Sequence, residues 1–190
     1  MFDTFNSDIS NNIVLLQNLL KKNKEKIEIL LKIKQKTFDN FIVPLEILDD
    51  KLVRFLTPLI HINAVENSEL SQDIYSQSLP LLSEYSSDIG QDIRLFNAYK
   101  AILNEEEVLN DDQKEVINQS LLSFKLSGAS LSKNDKKRFK EISLRKSELS
   151  NDFSQNVLDA TNNYELIIEN KNDVAEIPVS DLAIAEFKDN

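Results

Sequence analysis

Cysteine is absent from this sequence. That removes disulfides, thiolate metal sites and cysteine nucleophiles together, and it fits a reducing compartment, so cytoplasm is the expected location. Histidine occurs once, as His61. Two imidazoles four residues apart on a helix are what bring two nitrogens to one zinc, so an H-E-x-x-H site cannot be built from these residues. Glycine occurs only twice, at the isolated positions Gly90 and Gly128. Phosphate cradles and dinucleotide fingerprints need closely spaced glycines, and a serine triad needs a G-x-S-x-G elbow, so nucleotide-driven chemistry and that class of hydrolase are both excluded. Basic residues are outnumbered, 22 against 32 acidic ones, for a net charge of −10. Duplex nucleic acid and anionic membranes would be repelled by the average surface, and neither is an expected partner. No apolar run approaches the roughly 18 residues of a membrane span, and MFDTFNSDIS lacks the basic start of a secretory signal, so a soluble chain is expected.

What is present points to helices. The 41% apolar composition suffices for a core, while two glycines and four prolines leave little turn chemistry for a β protein. Phe38, Phe41, Leu45, Leu48, Leu52, Phe55 and Leu59 keep helical spacing along one stripe, with Pro44 in the first turn. An earlier stripe, Leu16, Leu20, Ile27 and Leu31, is interrupted by NKEK at 23–26, which leaves one bent helix or two short ones open. Residues 68–101 read as helical with a break or bend near Leu79, because Pro80 removes a backbone donor and crowds the preceding turn. Asn110 with Gln113 resembles a helix start, and Val116, Leu121, Leu122 and Phe124 carry the apolar side to a stop at Ser127-Gly128. The longest helix opens near Ser132–Asp135, with Phe139, Ile142, Leu149, Phe153, Val157, Ala160 and Tyr164 as its stripe. The spacing predicts an all-α antiparallel bundle or array, with residues 1–168 as a helical domain and 169–190 as a polar connection and short terminal helix capped by Ser180.

The chemical inventory is thin. Glu105, Glu106 and Glu107 are read as a solvated acidic run, and Asp111 and Asp112 as residues favouring a helix N-terminus rather than calcium ligands. Lys136, Lys137, Arg138 and Lys140 are read as a solvated helix face. His61 follows Pro58 at an expected helix end, where a partly buried structural histidine is the plainer reading. No residue is expected to be catalytic or to bind metal.

Three blocks carry a resemblance. RFLTPLIHINAVENSEL at 54–70, LPLLSEYSSDIGQDIRLFNAYKAI at 79–102 and FKLSGASLSKNDKKRFKEISLRKSELSNDFSQNVLDAT at 124–161 are similar to the N-terminal region of the M3 family of zinc oligopeptidases, the thimet oligopeptidase relatives. IPVSDLAIAEF is similar to the segment leading onward in that family, so the resemblance covers most of the chain from about residue 38. One departure is Asn67-Ser68-Glu69, where the family usually has a proline in an N-S-P-E block; the following helix is therefore expected to start differently.

The resemblance implies the N-terminal, non-catalytic part of a larger two-lobed channel peptidase. One zinc ion and the glutamate that moves the proton belong to the region beyond these residues, and this chain itself carries no cofactor. The implied partners are the C-terminal catalytic region and short peptide substrates. His61, Asn63, Asn156 and Asp159 are the candidate channel or interlobe contacts; the plain alternative is that all four cap or hydrogen-bond within the bundle. An alternative for the whole chain is a stand-alone helical interaction domain without enzymatic activity.

Overall fold

The computed structural model describes residues 12–66, 68–104 and 109–183. Among these residues the regular elements are helical and no strand occurs. They are α1 (Asn12–Leu31), a π-helical turn (Phe38–Ile42) running into α2 (Val43–Val65), α3 (Glu69–Gly90), α4 (Ile93–Asn104), α5 (Asp111–Leu126), α6 (Lys133–Asn162), a 3₁₀ turn (Lys171–Val174) and α7 (Val179–Leu182). The chain divides into two units that meet between Asn151 and Asp152, inside α6. Glu105, Glu106 and Glu107 lie outside the described residues, as does Asn67.

In the first unit α1 packs on α2 and α3, α2 on α3, and α4 on α5. The first of these contacts explains why α1 is one unbroken helix: Asn23, 2% exposed, occupies the stripe position between Leu20 and Ile27. Its side-chain amide donates to the Leu48 carbonyl at 3.2 Å, so NKEK contributes a satisfied buried polar group and no break. Leu16 and Leu20 of α1 meet Leu52 and Phe55 of α2, with Leu82 and Tyr85 of α3 packed against them. A second cluster gathers Phe41, Leu95, Tyr99, Ile102, Ile117 and Phe124. Tyr99 meets Phe41 and Phe124 edge-on, with ring centroids 6.2 and 5.4 Å away, the arrangement aromatic quadrupoles favour.

The prolines do not end helices here. Pro44 sits in the first turn of α2 as expected, but α2 continues through Pro58 to Val65 and α3 through Pro80 to Gly90. Pro80 leaves the Ser76 carbonyl without its helical donor, and both residues are exposed on α3. The break expected near Leu79 comes instead at Gln91-Asp92. A Cβ on Gly90 would stand 2.7 Å from the Ser127 Cβ, so the end of α3 can abut the end of α5 only with glycine there. Asp92 then opens the next helix, its Oδ1 accepting from the Arg94 backbone N–H at 2.8 Å.

The remaining helix ends follow their local chemistry. Ser68 and Ser71 form a reciprocal capping box, so α3 starts at Glu69 without the family's proline. Asn110 and Gln113 do the same for α5, whose first turn carries Asp111 and Asp112. At the other end, Gly128 has φ of 85°. The Ala129 N–H reaches the Phe124 carbonyl and the Gly128 N–H the Lys125 carbonyl, which together make a Schellman stop. On α5 the buried positions are Ile117 and Phe124, while Val116 and Leu122, expected on the apolar side, are exposed.

α6 starts where Ser132 Oγ accepts from the Asp135 N–H at 3.2 Å, and its 30 residues make it the longest helix described. None of them is buried. In the second unit, α6 ends with Asn163 N–H on the Asp159 carbonyl, and Asn170 caps the 3₁₀ turn. α7 begins after Pro178 with no side-chain cap; the expected capping by Ser180 does not form, and its hydroxyl instead bonds to Asp181 Oδ1 at 3.1 Å.

Candidate functional site

Because α2 runs through Pro58, the residues of HINAV lie on a helix rather than beyond one. Positions two apart on a helix face nearly opposite ways. Asn63 accordingly joins Leu59 and Phe55 on the buried side at 8% exposure, while His61 points outward and is exposed, which corrects the expectation of a partly buried histidine. Asn156 and Asp159 are exposed and three residues apart on α6, hence neighbours on one face. The structure thus keeps His61 and Asn63 apart on α2 and brings Asn156 and Asp159 together on α6.

The polar constellations the fold does assemble are different ones. Asp88 on α3 accepts from Lys24 of α1 at 2.8 Å and from Lys140 of α6. Partial burial works to raise its carboxyl pKa, but the hydrogen bonds from Lys140 and Lys24 outweigh it and hold the group below its ordinary value of 3.8. Lys136 donates to the Gln91 carbonyl at 2.8 Å. Two members of the lysine cluster expected to be solvated therefore tie α6 to α3, helped by Asn151 Nδ2 on Ser76 Oγ at 3.2 Å.

Arg94 forms the second constellation. Its guanidinium grips Glu28 in a bidentate pair at 2.7 and 3.0 Å and reaches Asp92 Oδ2 at 2.6 Å. The Arg94 hydrogen bond holds Glu28 below the usual carboxylate range. At Asp92 burial pushes the other way and is outweighed by Arg94. A third node lies under α1, where Asn23 bonds to Tyr85 as well as to Leu48; burial nonetheless pushes the Tyr85 phenol up. Burial also raises the Tyr99 phenol, with the charge of Glu46 adding to it.

These groups hold helices together and none is arranged for bond cleavage. No nucleophile and base are paired by them. Among the described residues no group of three or more His, Cys, Asp or Glu side chains is placed to hold a metal ion. The described residues therefore offer zinc no fitting ligand set: His61 stands exposed on α2, and the sequence offers no second imidazole. Sequence reading missed Asp88, Arg94 and Asn23. A signal existed for two of them: an asparagine at an apolar stripe position marks a buried side chain that needs a hydrogen-bond partner, and an Asp-Ile-Arg run at a helix start marks a local pair.

Residues 16–137 match the family model of the N-terminal domain of neurolysin and thimet oligopeptidase. The chain belongs to that family. The match begins within α1, earlier than the residue-38 start of the resemblance read from sequence blocks. Oligopeptidase A of Haemophilus influenzae is 42% identical over 173 residues, 90% of this chain and 25% of that protein. Oligopeptidase A of Salmonella typhimurium is 41% identical over 152 residues, 79% of this chain and 22% of its own length. A probable cytosolic oligopeptidase A of Arabidopsis thaliana is 26% identical over 171 residues, 89% of this chain and 24% of that protein. The chain thus spans about a quarter of the length of these relatives. It is an N-terminal helical domain of the neurolysin/thimet oligopeptidase family, homologous to oligopeptidase A, and no described helix is long and apolar enough to cross a membrane.

Proposed function

We propose that this chain is the non-catalytic N-terminal domain of an oligopeptidase A-like zinc metallopeptidase and forms part of the wall of its substrate channel. The observation that carries the reading is α6. Ile142, Leu149, Phe153 and Val157 follow one another at helical spacing and are 53%, 50%, 70% and 50% exposed. A wall element keeps an apolar face for the protein it meets, and the relatives contain about three times as much chain again as these residues match. Beyond α6, Leu166, Ile167 and Val179 are exposed as well.

In this reading the domain selects substrates and cleaves nothing. A narrow channel admits short unstructured peptides, rejects folded proteins and keeps bulk water from the reaction. Zinc belongs to the C-terminal catalytic region, which is the partner of this domain, and the complete enzyme works in the cytoplasm, as the cysteine-free sequence suits. His61, Asn156 and Asp159 are exposed polar contacts toward the channel or that region, with Asn63 supporting the α2 face from within.

The test is hydrolysis of a quenched fluorescent peptide with zinc present, first by this chain and then by this chain mixed with a separately produced C-terminal region. Silence alone and cleavage on mixing is the expected result. Zinc-dependent cleavage by the chain alone would overturn the reading. Silence in both, with the two parts failing to associate, would favour a stand-alone interaction domain. In the complete enzyme, alanine at His61, Asn156 or Asp159 is expected to alter peptide cleavage without altering stability; unchanged cleavage would remove these contacts from the wall.

A further inference from the structure

Charge is distributed unevenly along this acidic chain. The C-terminal half of α1 and the turn after it read KKNKEKIEILLKIKQK, residues 21–36, where seven lysines face only Glu25 and Glu28. The fold bends part of this run around a cleft of about 600 Å³ between the end of α1 and α4. Its rim carries Lys32, Lys34, Lys36 and Arg94, and Glu28 is its one acidic lining residue; Ala98, Ala101 and Ile102 make an apolar floor beside the Asn97 amide.

Internal partners account for some of these charges and leave others over. Arg94 is met by Glu28 and Asp92. Lys36 Nζ donates to the Ile33 carbonyl at 2.6 Å, the usual role of a lysine after a helix C-terminus. The carbonyls of Ile29 and Leu30 already accept from the backbone N–H groups of Lys32 and Ile33. Neither Lys32 nor Lys34 makes an ion pair among the described residues. The cleft holds a surplus of positive charge on a protein whose net charge is −10.

We propose that this cleft is a binding site for a small oxyanion of charge −2 or more, a phosphate or a polycarboxylate, held by Lys32 and Lys34 with Asn97 as a neutral donor. Two ammonium groups on one rim suit a multiply charged ligand. A singly charged anion such as chloride would bind no better than bulk screening allows. The apolar floor accommodates an organic ligand as readily as the inorganic ion. The inference does not depend on the peptidase reading, since the cleft contains none of the α2 or α6 residues assigned to the channel wall.

The experiment follows backbone amide shifts of the 190-residue chain during titration with inorganic phosphate and, separately, with citrate, potassium chloride holding the ionic strength constant. Saturable shifts at Lys32, Lys34 and Asn97 are expected with at least one of the two, and which one saturates separates the phosphate from the polycarboxylate class. In Lys32→Gln/Lys34→Gln the apparent Kd should rise by about tenfold or more, since two charge-assisted hydrogen bonds are removed. Lys137→Gln/Lys146→Gln, made at exposed positions of α6, should bind like the parent. Shifts that never saturate, or that persist unchanged in the Lys32/Lys34 variant, would overturn the assignment.

Discussion

α4 and α6 make an instructive pair. α4 has 12 residues and buries Leu95, Ala98, Tyr99 and Ile102; α6 has 30 and buries none. Both sequences show apolar residues at helical spacing, so periodicity alone does not separate them. The difference lies in what stands opposite. α4 faces α5 across an aromatic cluster, whereas α6 is tied to α3 by Lys136, Lys140 and Asn151, with serines between. Six serines, among them Ser83, Ser87 and Ser143, line a gap of about 290 Å³ there beside Leu79, Leu82 and Phe139. A stripe states which face would be buried and leaves open whether the covering element belongs to the same stretch of chain.

The largest expected effect tests that difference directly. Phe41 is 0% exposed and packs edge-on against Tyr99. Phe41→Ala should lower unfolding stability by about 3–5 kcal/mol in urea denaturation, through lost transfer energy and the cavity left behind. Phe153→Ala on α6, at 70% exposure, should change it by no more than about 0.5 kcal/mol. Comparable losses at both positions would mean that the α6 face is covered in solution, as by a second copy of the chain, and the contrast would fail.

Helix ends come next in size. Gly90→Ala places a Cβ against Ser127, and overpacking of this kind costs about 1–3 kcal/mol. Combining it with Ser127→Gly should recover part of the loss. Strictly additive effects in that double-mutant cycle would show that the two helix ends do not touch. Gly128→Ala should cost about 1 kcal/mol or slightly more, because φ of 85° is strained for a side chain while the nearest obstacle is the movable Leu131 Cδ1. A thermal shift assay that finds Gly128→Ala neutral would place the end of α5 somewhere other than the Schellman stop.

What could be read in the sequence follows the same division. The helix start at Asn110 was legible because that side chain caps its own backbone, and the stop at Gly128 was legible because positive φ calls for glycine. The break between α3 and α4 was misplaced because Pro80 is a local signal, and its cost is small on an exposed face. The need for Gly90 arises only from Ser127, distant in sequence. The continuity of α1 depends likewise on a carbonyl of α2 reaching Asn23. Of the candidate site residues, spacing on α2 could have separated His61 from Asn63, had Pro58 not suggested that the helix ended there. The Asp88 pairs with Lys24 and Lys140 and the Arg94 pair with Glu28 join residues more than fifty positions apart and have no one-dimensional signature; only the Arg94–Asp92 contact is local.

The smallest effect concerns how α6 is held. Asp88 joins Lys24 and Lys140, and its carboxyl is held below the ordinary 3.8 because hydrogen bonds from the two lysines outweigh the burial that would raise it. A carboxylate depressed in the folded state stabilises the fold above its unfolded pKa, and that contribution is lost as pH falls through the folded value. Asp88 is 33% exposed and its partners are more so, which keeps the effect below about 1 kcal/mol. Asp88→Asn should therefore lower the urea midpoint slightly at about pH 6, and the gap from the parent should close as pH drops below about 4. Amide exchange in α6 should quicken in the variant, while exchange in α4, which Asp88 does not touch, should not. If α6 and α4 respond equally, the lysine ties do not hold α6 separately, and the two helices belong to one cooperative unit after all.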